Sequence, residues 1–277
     1  MGLFGGRDAP TRSSTIPQSE FRIPLILNVH YLPQFVAESD LAGSTVIVVD
    51  LLRASTTICH ALKAGASAVV PLLEIGDVAD RVEKLGRENV VLGGERGGEL
   101  IEGFDLGNSP AEYTPDQVFG RTVLFTTTNG TRALLHSRIA ERVFVGAAVN
   151  RVAVATAVLS AQRVDILCAG TNGIVTREDI LAAGAITDEM LRLSGPDLWQ
   201  TNEWADSAHR EWQELLIGAK ANRRSPSEQL AWELKSTPGG KNLLAIGHEE
   251  DLRLCAQLDT LAVVPEWDSS TGQITLR

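Results

Sequence analysis

The densest chemistry in the chain lies in seven residues, Thr126-Thr127-Thr128-Asn129-Gly130-Thr131-Arg132, which carry four hydroxyls, an amide and a guanidinium. Hydroxyls and free backbone N–H groups at a helix start, with a glycine allowing close approach, make an anion site that favours phosphate. The plainer alternative is a turn in which Thr131 caps the next helix. Three other loops have similar composition: Asp50 to Thr56, with Ser55 and Thr56; Gly93 to Gly98 (GGERGG); and Ala169 to Gly173, with Asn172 and Gly173. A fifth polar segment, Gly103 to Pro110, adds Asn108 and Ser109. Arg53, Arg96 and Arg132 each sit in such a loop, although acids outnumber bases in the chain. Singly, each reads as a surface or ion-pair residue. Together, three guanidiniums in one pocket would suit a substrate with several anionic groups, because Arg grips oxyanions in a bidentate way.

The same loops hold carboxylates. Asp50 ends a run of β-branched residues, the usual place for a catalytic or metal-binding acid, and Glu95, Asp105, Glu112, Glu178 and Asp179 lie in or near the others. A hard divalent cation such as Mg²⁺ fits this donor set, since it takes oxygen ligands, keeps waters and bridges to phosphate. Asp179 has an alternative role in a Thr176-x-x-Asp179 capping box, and Asp105 in an Asx turn.

In parallel α/β sheets, ligands sit at the carboxyl ends of strands, where loops feed helix starts. The chain repeats that phrase. Strands are expected at Ile26–Val29, Thr45–Val49, Ala68–Leu72, Val90–Leu92, Thr122–Phe125, Arg142–Val145 and Asp165–Cys168. Helices are expected after Ser55 through about Lys63, over Asp77–Leu85, from about Arg132 and Asp179, and from Lys241 toward the last strand. Continuous apolar runs without alternation suit strands covered on both faces, so the fold class is α/β: a three-layer α/β/α sandwich with a mainly parallel sheet. Residues 197–236 read as helical and hold four of the five Trp; a last strand is expected at Thr260–Val264 (TLAVV). Residues 1–20, rich in Gly, Ser, Thr and Pro, read as a flexible tail before a domain over 21–277, either undivided or in lobes at 21–150 and 151–277. Thr128-Asn129-Gly130 and Thr171-Asn172-Gly173 form a weak internal echo.

Composition narrows the function. In 277 residues, 25 Lys and Arg face 35 Asp and Glu, a formal charge of −10, which argues against a broad nucleic-acid-binding face. Three distant cysteines without CxxC argue against a disulfide framework or structural zinc, and five histidines show no HxH or HExxH spacing. No apolar run approaches the ~20 residues of a membrane span, and no secretion signal opens the chain; a cytoplasmic location is expected. The GxxxxGK[ST] and GxGxxG motifs, a Cys-x5-Arg loop and a second Asp two residues after Asp50 are all missing.

Five segments together resemble the 2-phosphosulfolactate phosphatase family (ComB-like proteins): VVDLLRASTT (48–57), GGERGGELIEGFDLGNSPAEY (93–113), TTTNGTRAL (126–134), CAGTNG (168–173) with Glu178-Asp179, and LCAQLDTLAVVP (254–265). The resemblance implies a ComB-like α/β fold and Mg²⁺-dependent hydrolysis of 2-phospho-3-sulfolactate to 3-sulfolactate and phosphate, a step toward coenzyme M in methanogens. It further implies Asp50, Glu95, Arg53 and Arg132 as catalytic, with the metal on Asp50, Glu95 and Asp179. Substrate would be bound by Ser55, Thr56, Arg96, Asn108, Ser109, Thr127, Thr128, Asn129, Gly130, Thr131, Asn172 and Gly173. The expected partner is a small anionic phosphoester, with no nucleic acid or membrane; a homo-oligomer is compatible. Asp50 as covalent nucleophile, a phosphatase or lyase for another small phosphoacid, and a non-catalytic phosphometabolite binder remain alternatives.

Overall fold

A computed structural model of the chain describes Met1, Gly2 and residues 24–277. Apart from its first two residues, the expected tail over 1–20 lies outside the described residues. In chain order the elements are β1 (Leu25–His30), β2 (Thr45–Val49), α1 (Ala54–Lys63), β3 (Ala68–Leu72), α2 (Gly76–Leu85), β4 (Val90–Arg96), β5 (Glu99–Leu100), α3 (Pro115–Val118), β6 (Thr122–Thr126) and α4 (Asn129–His136). They continue with β7 (Arg142–Gly146), α5 (Arg151–Val158), β8 (Arg163–Cys168), α6 (Arg177–Ser194), β9 (Trp199–Thr201), α7 (Glu203–Ala221), α8 (Pro226–Leu234), α9 (Pro238–Ala245), α10 (Glu249–Cys255), β10 (Pro265–Asp268) and β11 (Gln273–Leu276). The architecture is α/β, with a large, mostly parallel mixed sheet in the order β5-β4-β6-β3-β11-β10-β7-β2-β8-β1-β9.

Two parallel groups make up that sheet. One is β4-β6-β3, the other β7-β2-β8-β1-β9. The antiparallel β10–β11 hairpin joins them through short contacts to β7 and β3. Strand β2 is buried along its whole length. Its Ile47 and Val49 enter an apolar cluster with Val154, Leu181 and Trp212 from α5, α6 and α7. Its Val46 and Val48 enter a second cluster with Ile58, Leu62 and Leu134 from α1 and α4. Each such side chain contributes about 1.5–3 kcal/mol of burial, which is why a β-branched run without polar alternation makes a central strand.

Three expectations need correction. TLAVV is not a strand: it runs as an extended connection, with the Leu261 N–H on the Val149 carbonyl and the Val263 carbonyl taking the Asn150 side-chain N–H. The strands follow it, at β10 and β11. GGERGG is not all loop either. Its first four residues belong to β4, where Gly93 and Gly94 pair with Phe125 and Thr126 and Tyr113 packs over Gly93 without room for a Cβ. Finally, α4 starts at Asn129, three residues before the expected point. The helical reading of residues 197–236 matches α7 and α8, except that Trp199–Thr201 pairs with β1 as strand β9; α9 and α10 follow it.

Candidate active site

The segments that follow β2 and β6 meet, although four strands separate the two in the sheet. A Cβ added at Gly130 would lie 3.0 Å from Asp50 Oδ2, so the glycine lets the α4 start come this close without displacing the carboxylate. A cleft of about 350 Å³ opens at this junction, and its wall includes Arg53, Glu95, Asn108, Thr128, Asn129 and Asn172. The two Thr-Asn-Gly loops touch there, the Asn172 N–H donating to Asn129 Oδ1 at 3.1 Å. Segments that are far apart in sequence therefore share one cleft.

Asp50 is buried, 9% exposed, directly after β2. Its backbone N–H donates to Ser55 Oγ at 2.9 Å, and the Ala54 N–H approaches its Oδ1 at 3.4 Å. Burial first, and the neighbouring Glu95 charge second, push its carboxyl up to about 7. Glu95 is half-buried and accepts the Gly98 N–H on Oε2 at 2.7 Å. Glu178, in the first turn of α6, accepts the Gly239 N–H at 2.9 Å on Oε1, while its buried Oε2 has no hydrogen-bond partner. Burial raises Glu178 above the ordinary carboxylate range.

Asp179 has a different task. Its Oδ1 accepts the Leu51 N–H at 2.8 Å; its Oδ2 accepts the Gly170 N–H at 2.9 Å and the Thr176 hydroxyl at 3.3 Å. It ties the loops after β2 and β8 together, and burial, then Asp50 and Glu178, hold its carboxyl well above its usual range. The bond that Thr176 makes runs to the Asp179 carboxylate and not to a helix N–H, so this is a loop clamp and not the capping box.

The arginines separate. Arg53 lines the cleft, 3% exposed, with Nη1 on Asp251 Oδ2 at 2.6 Å and Nη2 on the Gly98 carbonyl at 2.7 Å. Arg96 spends its guanidinium on the Leu73 and Glu95 carbonyls. Arg132 is exposed on α4; neither it nor Arg96 forms part of the cleft wall. Convergence of three guanidiniums is therefore overturned. Because α4 begins at Asn129, its turn carries Arg132 to the outer face.

Of the hydroxyls, Thr127 and Thr131 are buried and face each other at 3.1 Å, beside Ser55, Ala54 and Gly130. Thr56 donates to the Leu51 carbonyl, and Ser109 to Asp251 Oδ1 at 2.6 Å. Asn108 is 5% exposed, with its Oδ1 unpartnered. Gly173 is exposed outside the wall, where its carbonyl accepts from Gln34. Asp105 takes the Leu92 N–H and pairs with Arg87, a purely local brace.

Sequence reading missed the far wall. Pro238, Gly239 and Asn242 of α9 close the cleft, and Asp251 of α10 holds Arg53 and Ser109. A Cβ at Gly239 would run into the Glu178 carboxylate, so a larger residue there must displace it. Thr237-Pro238 is a readable helix start, with Thr237 Oγ1 accepting the Gly240 N–H; its contact with a residue 61 positions away is not.

Among the described residues, no group of three or more His, Cys, Asp or Glu is arranged to hold a metal ion. Mg²⁺ needs less: one or two carboxylates, with waters and substrate oxygens completing its shell. Asp50, raised by burial and by the Glu95 charge beside it, and an orphaned Glu178 oxygen fit such an ion at Asp50 and Glu95.

A model of the 2-phosphosulpholactate phosphatase family matches residues 30–270. The chain belongs to this family. Its similarity to relatives in the 2-phosphosulfolactate phosphatase family is broad. A probable 2-phosphosulfolactate phosphatase of Symbiobacterium thermophilum is 40% identical over 86% of this chain and 96% of its own length. Proteins of the same description from Caldanaerobacter subterraneus subsp. tengcongensis and Prochlorococcus marinus are 34% and 38% identical, each over 83% of this chain and over 90% and 89% of their own. For this member of the 2-phosphosulfolactate phosphatase family, the matched span takes in the cleft and the α9–α10 wall.

Proposed function

We propose that the chain is a Mg²⁺-dependent phosphatase that hydrolyses 2-phospho-3-sulfolactate to 3-sulfolactate and phosphate. One observation carries the metal-dependent part of this reading: Glu95 lines the cleft, Asp50 lies buried close enough to it for their charges to interact, and among the described residues the wall holds one guanidinium, Arg53, which Asp251 already neutralises. A phosphate dianion would be repelled from such a cleft until a divalent cation balances the acids. Asp50 and Glu95 would hold Mg²⁺, with Glu178 behind them; when bound, the ion supplies charge neutralisation at phosphoryl oxygens and an acidified water. Asp179 fixes the loop backbones. The Thr127–Thr131 hydroxyl pair, Thr128, Asn129 and the Gly130 backbone cradle the phosphoryl group, whose spread equatorial charge such donors stabilise. Arg53 meets the anionic groups of the organic acid, beside Asn108.

With this reading go a cytoplasmic location, a small phosphoester and no nucleic acid as partner, a place in sulfonate metabolism of the coenzyme M type, and one phosphatase domain over 21–277 with three α/β/α layers. The two apolar clusters on opposite faces of β2 support the layers; the formal charge of −10 supports the absence of nucleic acid. No helix among the described residues is long and apolar enough to cross a membrane.

The test is phosphate release from 2-phosphosulfolactate with Mg²⁺ and with EDTA, in the wild type and in Asp50→Ala. Release that needs Mg²⁺ and Asp50 is expected. Undiminished release in EDTA, or full activity in Asp50→Ala, contradicts the reading, and faster turnover of a non-sulfonated three-carbon phosphoester reassigns the substrate.

A further inference from the structure

Among the described residues Arg53 is the one guanidinium in the cleft wall, and the carboxylate that holds it comes from the far end of the chain. Asp251, in the first turn of α10 and 3% exposed, accepts Arg53 Nη1 at 2.6 Å on Oδ2 and Ser109 Oγ at 2.6 Å on Oδ1. His248 Nδ1 also approaches Oδ2, at 3.3 Å. The second tie on Arg53 is the Gly98 carbonyl at 2.7 Å, and the N–H of that same Gly98 is held by Glu95. These two bonds occupy two of the five guanidinium N–H groups. Because an unpaired buried charge is costly, a buried guanidinium without a carboxylate partner would turn toward another acid, and Glu95 lines the same cleft. Asp251 competes against that collapse. It fixes the guanidinium in the cleft wall, with a second tie to the Gly98 carbonyl.

We propose that Asp251 is a positioning residue that aims Arg53 and Ser109 at the non-phosphate end of the substrate, so that substrate selection depends on the C-terminal helix α10. The inference rests on the proposed phosphatase reading, in which Arg53 receives the organic acid.

The full chain is assayed as wild type, Asp251→Asn, Asp251→Glu and Ser109→Ala. Asp251→Asn is expected to raise KM about tenfold while kcat moves by less than about threefold, since the contact it weakens binds the ground state and the transition state alike. Asp251→Glu restores most of the KM, because it keeps the charge. Ser109→Ala leaves no charge unpaired and raises KM by about threefold; it decides the matter if Asp251→Asn does not fold. A binding readout separates this idea from the assigned reaction. Calorimetric affinity for 3-sulfolactate falls about tenfold in Asp251→Asn, while affinity for inorganic phosphate does not change. A folded Asp251→Asn with unchanged KM, a loss confined to kcat, equal loss for both ligands, or no recovery with Glu would overturn the proposal. If the wild type binds both ligands but never turns over 2-phosphosulfolactate, the reaction assignment fails, and the two affinities still judge Asp251.

Discussion

Asp50 and Asp165 are both buried acids on neighbouring central strands, yet their carboxyls move in opposite directions. Asp165, in the middle of β8, is 0% exposed and meets His30 Nε2 at 2.9 Å, Asn28 Nδ2 at 3.0 Å and Arg163 Nη2 at 3.1 Å. Burial alone would raise it; the bonds from His30, Arg163 and Asn28 outweigh burial and hold it below the usual carboxylate range. Asp50 at the rim has two weak backbone donors and acidic neighbours, and it rises to about 7. The difference separates structure from function. A buried acid matched by cationic and amide donors is a fastening within the sheet, whereas one left short of positive charge marks where a cation from outside belongs.

That contrast can be broken by mutation. Asp50→Asn should lower phosphate release on the order of a thousandfold in a steady-state assay, the scale on which an electrostatic group at a phosphoryl site acts. The same change should stabilise the metal-free protein by up to about 4 kcal/mol at pH 8, measured by denaturant unfolding. The sign follows from direction: a carboxyl that moves from 3.8 to about 7 on folding opposes folding only when ionised. Its penalty is absent below about pH 4, grows through the interval up to about 7 and is complete above it. Wild type should therefore lose stability across that interval relative to Asp50→Asn. Asp165→Asn should do the reverse of Asp50→Asn, costing about 3 kcal/mol of stability by stripping Arg163 and His30 of their partner. Its folded fraction keeps kcat within about twofold, because Asp165 lies away from the cleft. Smallest of all, Arg132→Ala should change kcat/KM by less than about threefold, as befits an exposed side chain outside the cleft wall.

The central strands were legible because their side chains answer to one rule. Thr45–Val49 and Ala68–Leu72 are covered on both faces, so apolar runs without alternation mark them to the residue. The hairpin at the sheet's centre was not legible, because TLAVV is the better strand former locally while PEWD and QITL do the pairing. Tertiary pairing to the Val149–Asn150 loop overrides propensity there. In the site, Asp50, Glu95, Asn108 and the Thr-Asn-Gly loops stood out by type and position. Arg132 misled because α4 starts at Asn129, which puts Arg132 a turn inside the helix and exposed, not at the helix start beside the cleft. Asp251 and Gly239 were invisible, since nothing local in a helical stretch tells that a carboxylate will meet Arg53, 198 positions earlier.

The most direct measurement is thermal unfolding of wild type and Asp50→Asn at pH 8, with Mg²⁺ titrated into each. A saturable rise in wild-type Tm that Asp50→Asn lacks is the predicted result. Equal rises in both proteins, or none in either, would contradict a cation seat built on Asp50.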